Sequence, residues 1–218
     1  MDLGELKQKL LTMASRTEIA VNEAIRALVE RDYDLALRVK ESDTVIDQLE
    51  VEIDDMAIQL LAKAPLASDL RLVTVAMKIS QNLERVGDEA TKIAKRARDL
   101  AQEPPVKINL DLPNMAGMAL AMVKAALDAF VNRDPAAARA IIPRDKEVDA
   151  LNREIHQLLA QHMMANPDTI ARCLHWIVAS KSLERIADHA KNIAEEVVYL
   201  YEAQDIRHTA AKSQPANP

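Results

Sequence analysis

The sequence predicts an all-α protein built as two tandem, related three-helix bundles, and three observations carry that expectation. Composition is the first. Of 218 residues only 3 are glycine and 2% are aromatic, while Ala, Leu and charged residues dominate. That mixture favours helices and disfavours sheets, which draw on β-branched and aromatic residues. The second is a duplication. "LLTMASRTEIAVNEAIRALVERD" (10–32) aligns with "LPNMAGMALAMVKAALDAFVNRD" (112–134), and "DTVIDQLEVEI" (43–53) with "DKEVDALNREI" (145–155), both at an offset of 102. After a loop two residues shorter in the second copy, "SQNLERVGDEATKIA" (80–94) repeats as "SKSLERIADHAKNIA" (180–194) at an offset of 100. A period near a hundred residues is that of a small domain, not of a short solenoid repeat. The third is periodicity. Ile46, Leu49, Ile53, Met56 and Leu60 recur at three- and four-residue spacing, as do Leu72, Ile79, Leu83, Val86, Ala90 and Ile93, each set giving one apolar helix face.

Taken in order, the spacing predicts helices over 3–30, 33–62 and 68–101, with breaks at "RDYD" and "KAPLASD", where Asp32 and Ser68 or Asp69 are candidate N-caps. "EPPVKINLDLP" (103–113), with its three prolines, separates the copies. Helices over 114–131, 134–164 and 167–203 follow. Asp134–Pro135 is a cap followed by proline at the first helical position, and Asn166–Pro167 repeats the device. Pro143 falls inside the fifth helix and should kink it or divide it. Short connections make each trio an up-down-up bundle. The expected domains are 1–103 and 104–203, and 204–218 reads as a disordered tail.

The net charge of −6 argues against nucleic acid as a partner, since phosphate binding needs a concentrated basic face. A single cysteine, Cys173, excludes an internal disulfide and fits a reducing compartment. The N-terminus carries acids where a signal peptide has a basic stretch, and no apolar run approaches the ~18 residues of a membrane span. The expectation is a cytoplasmic protein with no direct membrane insertion.

Both copies keep polar residues that a duplicated apolar stripe does not require. Glu84 and Asp88 lie four apart on the third helix, as do Glu184 and Asp188 on the last. More than a quarter turn from the apolar stripe, they read as surface groups. The second helix carries Asp43, Asp47, Glu50 and Asp54 at spacings of four, three and four; its counterpart reads Asp145, Asp149, Asn152 and His156. Each like-charge pair at i, i+4 costs a helix about 0.2–0.5 kcal/mol, so their retention at repeat-equivalent positions points to a role. Arg85 and Arg185 also admit ordinary surface ion pairs. Oxygen-only ligands without His or Cys suit hard cations such as Mg²⁺, Ca²⁺, Mn²⁺ or ferric iron. Gly87, opposite Ala187 in the alignment, fits a close backbone approach beside Asp88 or plain helix crowding.

Other chemistry is missing from the pattern. Glycines at 4, 87 and 117 write neither a P-loop nor a dinucleotide fingerprint. The Glu-x-x-His pairs of di-metal bundle oxidases are absent. The five histidines (156, 162, 175, 189, 208) lack repeat partners and read as incidental, Cys173 reads as core, and Met163 and Met164 as core filler. "KIAKRARDL" (92–100) is a basic helix end favoured by the dipole, or a docking face of the first copy.

Tandem three-helix copies, each with Asp-x-x-x-Asp on one helix and Leu-Glu-Arg-x-x-Asp on the next, resemble the PhoU family of phosphate-uptake regulators, most closely over "PLASDLRLVTVAMKISQNLERVGDEATKIA" (65–94). The resemblance spans roughly 1–203. In the second copy Ala171 and Arg172 replace the Leu–Arg pair. The resemblance implies a cytoplasmic, homodimeric, non-enzymatic negative regulator of phosphate uptake and of the phosphate-starvation response. Its implied partners are the ATPase subunit of the phosphate ABC transporter and a sensor histidine kinase. Some family members bind multinuclear iron or zinc clusters at the acidic motifs, others none. By position, the implied metal ligands are Asp43, Asp47, Glu84 and Asp88 in the first copy, and Asp145, Asp149, Glu184 and Asp188 in the second. Two alternatives stand beside this reading: a metal-dependent phosphate-ester hydrolase, and a metal-free helical adaptor.

Overall fold

The computed structural model describes residues 3–63 and 66–207, apart from the Ser68 side chain. Seven α-helices form the first copy, α1 (Leu3–Glu30), α2 (Tyr33–Leu61) and α3 (Ala67–Ala101), and the second, α4 (Leu112–Asn132), α5 (Pro135–Ile141), α6 (Asp145–Ala165) and α7 (Ile170–Glu202). Among the described residues there is no strand. The expected helical pair of trios is what forms.

The turns explain why the helices stop where they do. Arg31 and Arg133, equivalent by the duplication, adopt left-handed φ of 59° and 57° and reverse the chain after α1 and α4. Just beyond each, an aspartate caps the next helix. Asp32 accepts from the Leu35 amide at 2.8 Å, and Asp134 from the Ala137 amide at 2.9 Å, with Pro135 at the first helical position. Each such cap contributes about 1 kcal/mol by satisfying an orphan amide.

Pro143 divides the fifth helix, one of the two outcomes expected of it: Ile142–Arg144 form a 3-10 turn between α5 and α6, because proline offers no amide to the preceding turn. Two local expectations need correction. Asn166 does not cap the last helix. Its side chain donates back to the His162 carbonyl at 3.1 Å, Pro167–Thr169 form a 3-10 turn, and α7 starts at Ile170. The cap residue of α3 is Leu66, without a side-chain hydrogen bond, and Asp69 already lies within the helix.

The core is continuous across both copies. Leu83, Val86, Ala90 and Ile93 of α3 and Leu183, Ile186, Ala190 and Ile193 of α7 are fully buried, each large side chain contributing about 1.5–3 kcal/mol on leaving water. α3 packs on α1, α2 and α7, and α7 on α3, α4, α5 and α6. The two central helices run antiparallel, since rising numbers on α3 meet falling numbers on α7. Lys78 pairs with Glu196 (2.9 Å), Asn82 with His189 (3.0 Å) and Glu89 with Arg185 (3.4 Å). These contacts straddle Val86 and Ile186, which are repeat equivalents. The duplication is therefore displayed about a pseudo-two-fold axis crossing the α3–α7 contact.

α4 holds no unbroken apolar run of the ~18 residues of a membrane span, yet by length and composition it can pass for one. The reason is its alanine-rich sequence, and its apolar faces are used in packing: ten of its residues, Phe130 among them, are buried. Met164 is 76% exposed and is not core filler, whereas Cys173 is fully buried as expected. Of the tail, Gln204 accepts from Arg139 at 3.0 Å and Arg207 pairs with Glu196 at 3.4 Å. His208 and the remainder of 208–218 lie outside the described residues.

Candidate functional site

The acidic motifs of the first copy meet along the seam between α2 and α3. Gly87 is what lets the helices close there. A Cβ at Gly87 would stand 3.0 Å from Ile46 Cδ1 and 3.4 Å from Asp43 Oδ1, so the missing side chain brings the Asp43 carboxylate against α3. The nearest atoms such a Cβ would meet are all side-chain atoms of α2, so what Gly87 accommodates is helix crowding beside Asp88.

Electrostatics records the convergence. Burial first, then the charge of Asp88, with Glu50 and Asp47 adding to it, push the Glu84 carboxyl up to about 6, against the pull of Arg85. Burial and the neighbouring Asp47 and Asp88 charges raise Asp43, while the Thr91 hydroxyl, hydrogen-bonded to it, opposes them. Burial and Asp54 likewise raise Glu50. Carboxylates from both helices therefore share one field. Its nearest compensation is Arg85, whose guanidinium reaches Glu84 at 3.4 Å and Asp88 at 3.2 Å.

These are not the fully solvated surface groups expected. The Glu84 side chain is 16% accessible, Glu184 12% and Asp145 11%. The angular argument placed them correctly off the apolar stripe, but the adjacent helix covers that flank. Asp47 is exposed, and Asp43 and Asp88 are half-buried.

The second copy brings its acids together differently. Lys191, on α7, places its ammonium 2.8 Å from Asp145 and 3.2 Å from Asp188, tying α6 to α7. Burial alone would lower this lysine. Its hydrogen bonds to both carboxylates and their charges reverse that and hold it well above the usual range. The equivalent position in the first copy is Thr91. Glu184 pairs along its own helix with Lys181 at 2.6 Å, and Asp149 joins none of these contacts. Where the first copy continues with Glu50 and Asp54, the second has a hydrogen-bonded chain without carboxylates: the Ser180 hydroxyl donates to Asn152 at 2.9 Å and meets His156 Nε2 at 3.0 Å. Arg185 leaves its own motif and crosses to Glu89, whose repeat partner is His189.

Sequence reasoning missed Lys191, Thr91 and the Ser180 chain. The repeat alignment held a signal for the first two, a neutral hydroxyl facing a cation at one equivalent position. Among the described residues, no group of three or more His, Cys, Asp or Glu side chains is arranged to hold a metal ion. The donors of the first seam fit a hard cation chemically: they are all oxygen, mutually repelling and weakly compensated. Those of the second fit it poorly, because an ammonium already lies between Asp145 and Asp188.

Comparison with known proteins agrees with the duplication. The family model of the PhoU domain matches residues 10–97 and again 112–197. The phosphate-specific transport system accessory protein PhoU homolog of Pseudomonas putida is 41% identical over 217 residues, covering 99% of this chain and 85% of that one. The crystal structure of PhoU from Pseudomonas aeruginosa superposes with a TM-score of 0.88 at 40% identity, covering 93% of this chain and 98% of that one. A phosphate transport system regulatory protein PhoU from Streptococcus pneumoniae follows at 0.83 and 28%, covering 94% and 97%. With each copy matched in turn and the fold shared along nearly the whole length, the chain belongs to the PhoU family.

Proposed function

We propose that this protein is a non-catalytic, cytoplasmic negative regulator of phosphate uptake and of the phosphate-starvation response. It docks, as a homodimer, onto the ATPase subunit of the phosphate ABC transporter and onto a sensor histidine kinase. The observation that carries this reading is likeness along both copies to proteins named as phosphate transport accessory and regulatory proteins. The geometry adds a means. Two carboxylate seams flank one rigid α3–α7 pair, so the molecule presents two acidic faces of different character to basic partner surfaces.

The first seam is also our candidate for a cation site, with Asp43, Asp47, Glu84 and Asp88 as ligands. Closing these oxygens on an ion would relieve the repulsion that, added to burial, raises Glu84 and Asp43. Such a ligand set suits ferric iron better than zinc, which favours nitrogen and sulfur. Asp145, Asp149, Glu184 and Asp188 complete the family pattern, with Lys191 as the counter-charge of Asp145 and Asp188. Elemental analysis of protein purified without chelator or affinity tag tests this. Metal content should fall in Glu84→Gln/Asp88→Asn, and metal-free wild type would favour the bare adaptor.

The regulatory reading is tested in cells. Asp88→Asn/Asp188→Asn should leave the bundle folded, derepress a phosphate-responsive reporter at high phosphate, and lose co-purification with the transporter ATPase or the kinase. Full repression by the folded double variant would refute it.

A further inference from the structure

The pseudo-two-fold axis pairs the ends of the molecule, and the two ends are finished differently. At one end Arg31, closing α1, donates to the Glu103 carbonyl, and Arg172, near the start of α7, donates to the Pro104 carbonyl at 3.0 Å. The linker between the copies thus supplies oxygen acceptors to both arginines.

At the other end no such strand of chain arrives among the described residues. The residues equivalent to the linker by the second offset, 203–207, turn instead toward Arg139 and Glu196. What remains is a cleft of about 530 Å³ between the starts of α1 and α3 and the ends of α4 and α7. Lys7, Arg71 and Arg133 line it; the one carboxylate lining it among the described residues is Asp69, which has an interaction of its own. Arg71 is held at the wall, donating to the Leu200 carbonyl at 3.4 Å and lying over the Tyr199 ring. Lys7 lies 5.8 Å from the Phe130 ring centroid. Neither Lys7 nor Arg133 pairs with a carboxylate among the described residues, although Arg133 is the repeat partner of the satisfied Arg31. Tyr201 donates its hydroxyl to the Phe130 carbonyl at 2.8 Å and offers the cleft no counter-charge.

We propose that this cleft binds a small multiply charged oxyanion of the phosphate class, held by Lys7, Arg71 and Arg133. Forked guanidinium donors match tetrahedral oxyanions, and a lysine adds a point charge. Cations gathered on the wall of one cleft are a standing repulsion that an anion removes. In accord with this, burial and the Arg133 charge together lower the Lys7 ammonium. The choice of phosphate rests on the regulatory reading above; the cleft's demand for an oxyanion does not.

The test is calorimetric titration of the full-length chain with inorganic phosphate, sulfate and phenyl phosphate in separate arms, with ³¹P line broadening as an independent readout. Wild type should bind inorganic phosphate with a dissociation constant on the order of 1 mM or tighter. Lys7→Met/Arg133→Asn should weaken it at least about tenfold while keeping the helical spectrum and cooperative melting. Asparagine tolerates the left-handed backbone at 133. Arg31→Asn, the same change at the satisfied end, should leave binding intact. Absence of phosphate binding by wild type, undiminished binding by the double variant, or binding of phenyl phosphate alone would each overturn the proposal. Because this assay needs no partner, its failure is separate from a failure of the reporter experiment, which tests the acidic seams.

Discussion

Lys191→Thr rebuilds the second seam on the pattern of the first and removes the ammonium between Asp145 and Asp188. Losing one partner of a buried ion pair costs about 3–5 kcal/mol. Here the lysine keeps 28% of its side-chain exposure and Asp188 45%, against 11% for Asp145. Solvent screening therefore reduces the expected loss to about 2 kcal/mol. For a chain of this size that lowers the melting temperature by about 4–8 °C. The raised pKa of Lys191 sets the pH behaviour. A cation stabilised in the folded state contributes fully below its unfolded value of about 10.4 and is lost only as pH rises through its folded value. The penalty of the variant should thus be constant from about pH 6 to 9. Thermal unfolding of wild type and variant across that range measures it, and a double-mutant cycle with Asp188→Asn isolates the pair, with an expected coupling of about 1 kcal/mol. Millimolar Mn²⁺ or Ca²⁺ should restore part of the variant's stability and leave the wild-type second seam unaffected. A loss below about 0.5 kcal/mol, within the range of an ordinary surface substitution, would refute the view of Lys191 as that seam's counter-ion.

Two further predictions concern the first copy. The rise of Glu84 from its ordinary 4.5 to about 6 corresponds to at most about 2 kcal/mol, reduced by solvent to about 1 kcal/mol. An acid whose folded pKa is raised destabilises the fold above that pKa, and the cost disappears below the unfolded value. Glu84→Gln should therefore stabilise metal-free protein by about 1 kcal/mol at pH 7.5, with the gain fading between pH 6 and 4.5. Denaturant unfolding at the two extremes checks this, and a gain that grows on acidification would contradict the sign. At Gly87, alanine gains about 1 kcal/mol of helix propensity against a contact with the flexible end of Ile46, so Gly87→Ala should fall within about 1 kcal/mol of wild type. Gly87→Leu must push α2 off α3 and should cost more than about 2 kcal/mol; near-neutral leucine would show the seam to be loose.

What the sequence made legible follows from which interactions are periodic. Apolar stripes, caps such as Asp32 and Asp134, and the doubled acidic motifs all recur at fixed spacing, and the helices and the convergence of Asp43 with Asp88 came from them. Pro143 was legible as an interruption, although its division into α5 and α6 depends on how the freed backbone re-bonds. The depth of Glu84 and Glu184 was not legible, because a helical wheel fixes an angle and not the width of the neighbour that covers it. Nor were the ties across α3 and α7. Glu89 and Glu196 are almost fully buried yet read as ordinary charged positions, since their partners Arg185 and Lys78 lie about a hundred residues away. Those same ties make the duplicated chain asymmetric. Arg85 stays within its own motif, whereas Arg185 crosses to Glu89, a residue the second copy replaced with His189. Thr91 leaves one seam short of positive charge, and Lys191 completes the other. One copy thus carries a seam short of positive charge and the other a seam closed by its own lysine, a difference that two identical repeats could not provide.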